Sequence, residues 1–158
     1  MSSTTTARRY WLLKSEPLSY GIDDLERDGT TCWDGVRNYQ ARNSMRDDMR
    51  VGDLAFIHHS NAKPSGIYGV AEIVREGYPD HTQFDPDDHH FDPKSSPDAP
   101  TWMMVDVRFL KRYDPPIGLA ELKSIPGLEP MVVLQRGSRL SVQPVTEQEW
   151  RIVESLRP

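Results

Sequence analysis

A chain of 158 residues with 37% hydrophobic and 27% charged side chains can build one domain with a real core, and is too short for two comfortable ones. No apolar run approaches the roughly 20 residues that span a bilayer, and the opening Met1 to Arg9 lacks the apolar stretch of a secretory signal. The lone cysteine, Cys32, excludes an internal disulfide framework and any cysteine-rich zinc site, so an intracellular protein is the default. Residues 1–8 read as a disordered lead-in and residues 9–157 as a single domain. The formal net charge of −5 is unevenly placed: six aspartates and one lysine between Tyr78 and Pro100 account for all of it. A broad grip on duplex DNA would need a basic excess that the neutral remainder does not supply. The charge balance favours a pocket over a wrap.

In chain order, Tyr10-Trp11-Leu12-Leu13 reads as a first strand, stopped at Lys14-Ser15-Glu16-Pro17 because Pro17 cannot donate into a ladder. Ser19 is placed to cap a short helix over 21–27 that turns Ile22 and Leu25 to one face. Asp28-Gly29 is a turn signal, followed by a brief strand over 30–33. A helix over 38–46 then carries Ala41 and Met45 inward. Residues 54–58 and 67–74 read as strands; in the second, Gly69 and Ala71 suggest close backbone approach. Residues 102–110 are the longest strand candidate and 117–124 one or two helical turns, while 131–134 is ambiguous and 140–142 a short strand. Thr146-Glu147-Gln148-Glu149 is a capping box that opens a final helix with Trp150, Val153 and Leu156 inward. Short strands with interleaved helices define an α+β domain.

The most informative stretch is Trp33-Asp34-Gly35-Val36-Arg37-Asn38-Tyr39-Gln40-Ala41-Arg42-Asn43. Trp and Tyr offer flat faces for a base, worth about 1–3 kcal/mol per base stacked. Asn and Gln can read the edge of a heterocycle, and Arg can hold a phosphate with two parallel hydrogen bonds. The competing reading is internal: Trp33 as core, with Arg37, Asn38 and Gln40 bonded to an irregular crossover. Lys14 and Ser15 follow the first strand, either as a solvated strand end or at the mouth of a barrel. Phe56 points inward just before His58-His59-Ser60-Asn61. The two histidines make a poor metal pair, because neighbours on a strand face opposite sides.

Between Tyr78 and Pro100, Asp85, Asp87, Asp88, His89, His90 and Asp92 invite a metal assignment. A calcium loop started at Asp85 has His90 where Gly is needed and Ser96 where Glu is needed, and so fails. Five prolines and spaced aspartates instead read as a solvated, semi-rigid loop. Arg136 and Arg139 sit at turn positions, able to meet phosphates or nearby carboxylates. There is no nucleophile elbow, phosphate-binding loop, dinucleotide fingerprint or zinc-histidine helix, and Cys32 reads as inert packing.

Together, Lys14-Ser15-Glu16-Pro17, the Trp33 to Asn43 run, His59-Ser60-Asn61 and the Arg136-to-Val145 stretch resemble the EVE-domain family, from Tyr10 to Leu156. Where relatives have a cysteine after the Asn and then Pro-Gly-Ile, this chain has Ala62 and Pro64-Ser65-Gly66-Ile67. The resemblance implies a PUA-like small mixed β-barrel with flanking short helices. It also implies a reader that takes a flipped base, with 5-methyl- or 5-hydroxymethylcytosine in DNA as the best candidate. The base pocket would be formed by Lys14, Ser15, Trp33, Val36, Arg37, Asn38, Gln40, Phe56, His59, Ser60 and Asn61, with Arg42, Arg136 and Arg139 on the backbone. No cofactor or obligate metal is implied, and no membrane partner. The alternatives are an RNA-binding module of the PUA or YTH kind and, third, a small nuclease or base-processing enzyme. The setting would be cytoplasmic and nucleoid-accessible in a bacterium, or nuclear in a eukaryote.

Overall fold

The computed structural model describes residues 8–137 and 139–157, so the expected lead-in falls outside the described residues save for Arg8. Among the described residues, six strands form one mixed sheet: β1 (Tyr10–Ser15), β2 (Thr30–Trp33), β3 (Leu54–His59), β4 (Gly66–Pro79), β5 (Met103–Gly118) and β6 (Val142–Val145), hydrogen-bonded in the order β2-β5-β4-β3-β1-β6. β1 runs parallel to β3, with Lys14 beside His58; the other pairings are antiparallel. Every strand sends side chains into one buried cluster: Trp11 and Leu13, Trp33, Ala55 and Ile57, Ala71 and Ile73, Val105 and Val107, and Val142. Because edge strands β2 and β6 reach the same cluster, the sheet is curled into a small barrel with its seam between them. The fold is the expected PUA-like α+β barrel.

The barrel's other face carries a second core. Leu12, Phe56, Val70, Tyr113 and Ile117 are covered there by Leu122 of α4 (Leu119–Lys123), by Leu128 to Val133, and by Trp150 and Val153 of α5 (Glu147–Ser155). Phe56 stacks on Trp150 with ring centroids 3.8 Å apart. Strand parity explains the split: Ala55 and Ile57 face the interior, so Phe56 must face out. In β4 the alternation breaks at a register shift between Ile67 and Gly69, which sends Ile67 to the outer core and Ala71 and Ile73 inside. Gly69 permits the crossing, since a Cβ there would lie 2.5 Å from the Lys111 carbonyl oxygen.

Several boundaries differ from the sequence expectation. Ser19 caps nothing; it lies within a single turn, α1 (Pro17–Tyr20), and α2 (Ile22–Asp28) starts at Gly21, whose N–H is held by Asp24 Oδ2 at 2.8 Å. The 38–46 helix is α3 (Tyr39–Asn43) followed by a wide π turn over Ser44–Asp48, with Ala41 and Met45 buried as expected. Residues 131–134 resolve into a 3-10 turn, Val132–Leu134, and the last strand begins at Val142 rather than 140. The Thr146 capping box forms, with Glu149 N–H donating to Thr146 Oγ1 and Thr146 N–H to Glu149 Oε1. Thr146→Ala is expected to cost about 1 kcal/mol, read as a lower urea midpoint at unchanged slope.

The 78–100 segment is largely exposed, as a solvated loop is expected to be, but it is anchored from within. Asp80, Thr82 and Gln83 are buried. The Gln83 amide donates to the carbonyls of Asp80 and Trp102, and Trp102 Nε1 donates to Asp92 Oδ2. The loop is pinned by a few of its polar residues, which leaves the remaining carboxylates at the surface.

Candidate nucleic-acid interface

A cavity of about 530 Å³ opens at the barrel seam. One wall is Lys14, Ser15 and Glu16 at the end of β1, with Ser141 before β6; the other is Thr31, Cys32 and Trp33 of β2. Ser19 and Tyr20 form a lip on one side, and Asp34 to Arg37 with Thr82 and Asp88 to His90 close the other. Trp33 is a core residue that also lines this space, being only 7% exposed, and Tyr20 meets it edge-on at 6.3 Å.

Asp80 organises the closing wall. Fully buried, its carboxylate accepts from Gly35 N–H (2.8 Å), Arg37 Nη1 (3.1 Å), Thr82 N–H (2.7 Å) and the Thr82 hydroxyl (2.5 Å). Burial alone would push this carboxyl up; the Thr82 hydroxyl, Gly35 N–H and Arg37 guanidinium outweigh it and hold Asp80 below the ordinary carboxylate range. Arg37 is spent on the same wall, donating also to the His90 carbonyl (2.7 Å) and to Thr82 Oγ1 (2.9 Å). Gly35 has φ of +79°, and a Cβ there would sit 2.7 Å from the His90 ring, so only glycine lets that imidazole lie against the turn.

Of the expected pocket residues, Lys14, Ser15, Trp33, Val36 and Arg37 come together at the cavity. The others lie elsewhere. Asn38 caps α3, its Oδ1 accepting from Ala41 N–H at 3.0 Å, and Gln40 is exposed on the helix beyond. Phe56 belongs to the outer core. His59, Ser60 and Asn61 stand behind the lip and buttress it: His59 Nε2 accepts from Ile22 N–H (3.0 Å), Ser60 N–H donates to the Ser15 carbonyl (2.9 Å), and Asn61 Nδ2 donates to Glu16 Oε1 (2.7 Å). Arg42 donates to the Thr101 carbonyl and lies over Tyr39, which packs on Trp102; Arg37 stacks over the far part of that column. Arg136 and Arg139 are exposed, make no ion pair among the described residues, and lead into Ser141 on the cavity wall.

Sequence reasoning missed Tyr20, Ser141, Thr82 and the carboxylates that line the cavity. The Lys14 ammonium is lowered by burial. On the same cavity, Asp34 is raised, first by lost solvent and then by Asp80, and the Cys32 thiol is raised by burial and then by Asp34 and Asp106. The cavity therefore carries both signs of charge, with Lys14 and Arg37 among its cations and Glu16, Asp34 and Asp88 among its carboxylates. Cys32, Asp34 and His81 bring one donor atom each within 4.8 Å of one another, as do Asp88, His89 and His90. Both sets combine groups suited to a borderline divalent ion. Asp34, His81 and His89 are exposed, however, and Asp88 Oδ1 already accepts from His90 N–H.

The curled mixed sheet with a polar cavity at its seam defines a PUA-like domain. The chain belongs to the EVE-domain family, whose model matches residues 9–156. It is 48% identical to human thymocyte nuclear protein 1 over 93% of this chain and 73% of that protein. A structure from Pseudomonas syringae matches with TM-score 0.91 and 45% identity, covering 94% of this chain and 99% of that one. Human THYN1, solved in complex with 5-methylcytosine-containing DNA, matches with TM-score 0.88 and 47% identity over 94% of this chain and 96% of that one. Among the described residues no helix is long and apolar enough to cross a membrane.

Proposed function

We propose that the chain is a DNA reader that draws a modified cytosine out of the strand and into the cavity beside Trp33. The observation that carries this is the cavity itself: about 530 Å³ at the barrel seam, lined by Trp33 together with Lys14 and Ser15. That volume lies within the roughly 300–1,000 Å³ of small-ligand sites. The DNA complex of human THYN1 supports DNA as the partner and 5-methylcytosine as the modification. Extrusion costs a few kcal/mol, which stacking on Trp33 and polar contacts must repay. A buried methyl adds only about 0.8 kcal/mol, so discrimination of 5-methylcytosine from cytosine by burial alone would be about fourfold. Lys14 holds the nearest phosphate in this reading, with Arg136 and Arg139 on the flank.

A fixed-sequence oligonucleotide set carrying cytosine, 5-methylcytosine and 5-hydroxymethylcytosine, made as DNA and as RNA and titrated at one salt concentration, tests the reading. Modified DNA is expected to bind at least fourfold tighter than unmodified DNA and tighter than either RNA. A flat series sinks the reader, and RNA above DNA transfers it to RNA. Because Trp33 is core, Trp33→Ala would confuse unfolding with lost stacking, at about 3–5 kcal/mol of stability. Trp33→Leu keeps apolar volume and removes the aromatic platform; about tenfold weaker binding with a cooperative melt retained is expected.

A further inference from the structure

Leu18 is fully exposed, at 101% of its reference area, yet it stands on the lip of the cavity: Glu16, Ser19 and Tyr20 around it all line that space. Its backbone is fixed. Pro17 opens the turn, the Glu16 carbonyl accepts from both Ser19 N–H and Tyr20 N–H at 2.9 Å, and the Ser15 hydroxyl donates to the Tyr20 carbonyl. Asn61 Nδ2 holds Glu16 from behind, and the Tyr20 phenol donates to Asp28 Oδ2 at 2.7 Å. The acidic helix that follows is partly neutralised where it stands, Arg27 pairing Asp24 and Asp28 and Arg112 pairing Asp23 and Glu26. A rigid turn thus holds an aliphatic side chain clear of the fold, beside the opening through which a base would enter.

A base drawn out of a duplex leaves a gap in the stack, and leucine, phenylalanine and methionine are among the side chains that DNA-deforming proteins insert between bases. We infer that Leu18 is the wedge that enters the base stack of duplex DNA in place of the nucleotide taken into the Trp33 cavity. This rests on the reading of that cavity as a flipped-base site. It gives the lip a task different from the cavity's: the pocket recognises the base, and Leu18 lowers the cost of extracting it. The contribution exists only where there is a stack to fill, so it belongs to duplex DNA and not to a single strand.

The test is Leu18→Ser, with Leu18→Met as the conservative partner. Affinity is measured by fluorescence anisotropy on a duplex with one 5-methylcytosine and on the modified strand alone. Leu18→Ser is expected to bind the duplex roughly tenfold or more weakly, the worth of burying one leucine side chain, and the single strand within about twofold of wild type. Leu18→Met is expected to retain most of the duplex affinity. Equal loss on both probes, or no loss on the duplex, overturns the wedge. Wild-type binding that ignores the modification and the aromatic platform overturns the cavity reading itself. That result is distinct from modification-dependent binding that Leu18→Ser leaves untouched.

Discussion

Asp80→Ala is expected to destabilise the protein by about 3–5 kcal/mol and to remove modified-DNA binding in the same step. The carboxylate is fully buried and takes four hydrogen bonds from three residues, two of them 43 and 45 positions earlier in the chain. Its loss leaves the Gly35 and Thr82 N–H groups short of an acceptor and the Arg37 guanidinium, itself mostly buried, short of its counter-charge. Those same residues form one wall of the cavity, so stability and binding have a common origin here. Asp80→Asn is milder but not neutral. One of its two polar atoms becomes a donor facing donors, at about 1–3 kcal/mol. The pH dependence has a definite sign. A carboxyl held below its ordinary range contributes stability above the unfolded-state value of about 4 and loses it as pH falls through the folded-state value. Urea midpoints at pH 7 and pH 4 for wild type and the two variants, with hydrogen exchange over 34–37 and 81–91 at pH 7, check this. A wild-type midpoint in Asp80→Ala would mean the network is ornamental.

The prominence of Asp80 shows where the sequence stops being informative. Along the chain Asp80 cannot be told from Asp85 or Asp87, since all three are aspartates next to prolines in one acidic stretch. What singles it out is a partner on a distant segment, and partners across 40 residues leave no local periodicity. The same gap hid Tyr20 and Ser141, whose place at the cavity follows only once the barrel brings the ends of β1 and β2 to one seam. The strands and the final helix were legible because their signals are local: the apolar run Leu54 to Ile57 in β3, the mostly apolar Met103 to Leu110 that opens β5, the Thr146 box. Asn38 shows how a local signal can be outvoted. An Asn directly before a helix is a cap by the ordinary rules, and the structure uses it so, yet its place in a polar, aromatic-rich run suggested a base reader. Phe56 fits the same lesson in reverse, because strand parity with Ala55 and Ile57 already separates it from the interior.

His58 supplies the second large effect, and it concerns acid. It is 3% exposed between Lys14 on β1 and Ile67 on β4, and among the described residues neither ring nitrogen has a hydrogen-bond partner. Burial, then the nearby Lys14 charge and that of His59, push its pKa down to about 4. In the unfolded chain it returns to about 6.5, so between these values the unfolded state binds the extra proton. The cost is absent above about pH 6.5, grows as pH falls, and reaches about 3 kcal/mol near pH 4. His58→Leu removes both the titration and the two orphaned nitrogens. It is therefore expected to be about 1–2 kcal/mol more stable at pH 7, with the gap to wild type widening as the solution is acidified. Urea unfolding at pH 7, 5.5 and 4 measures it. Parallel pH profiles for the two proteins would show that His58 takes its proton as easily folded as unfolded, and so is not sealed between β1 and β4 in solution.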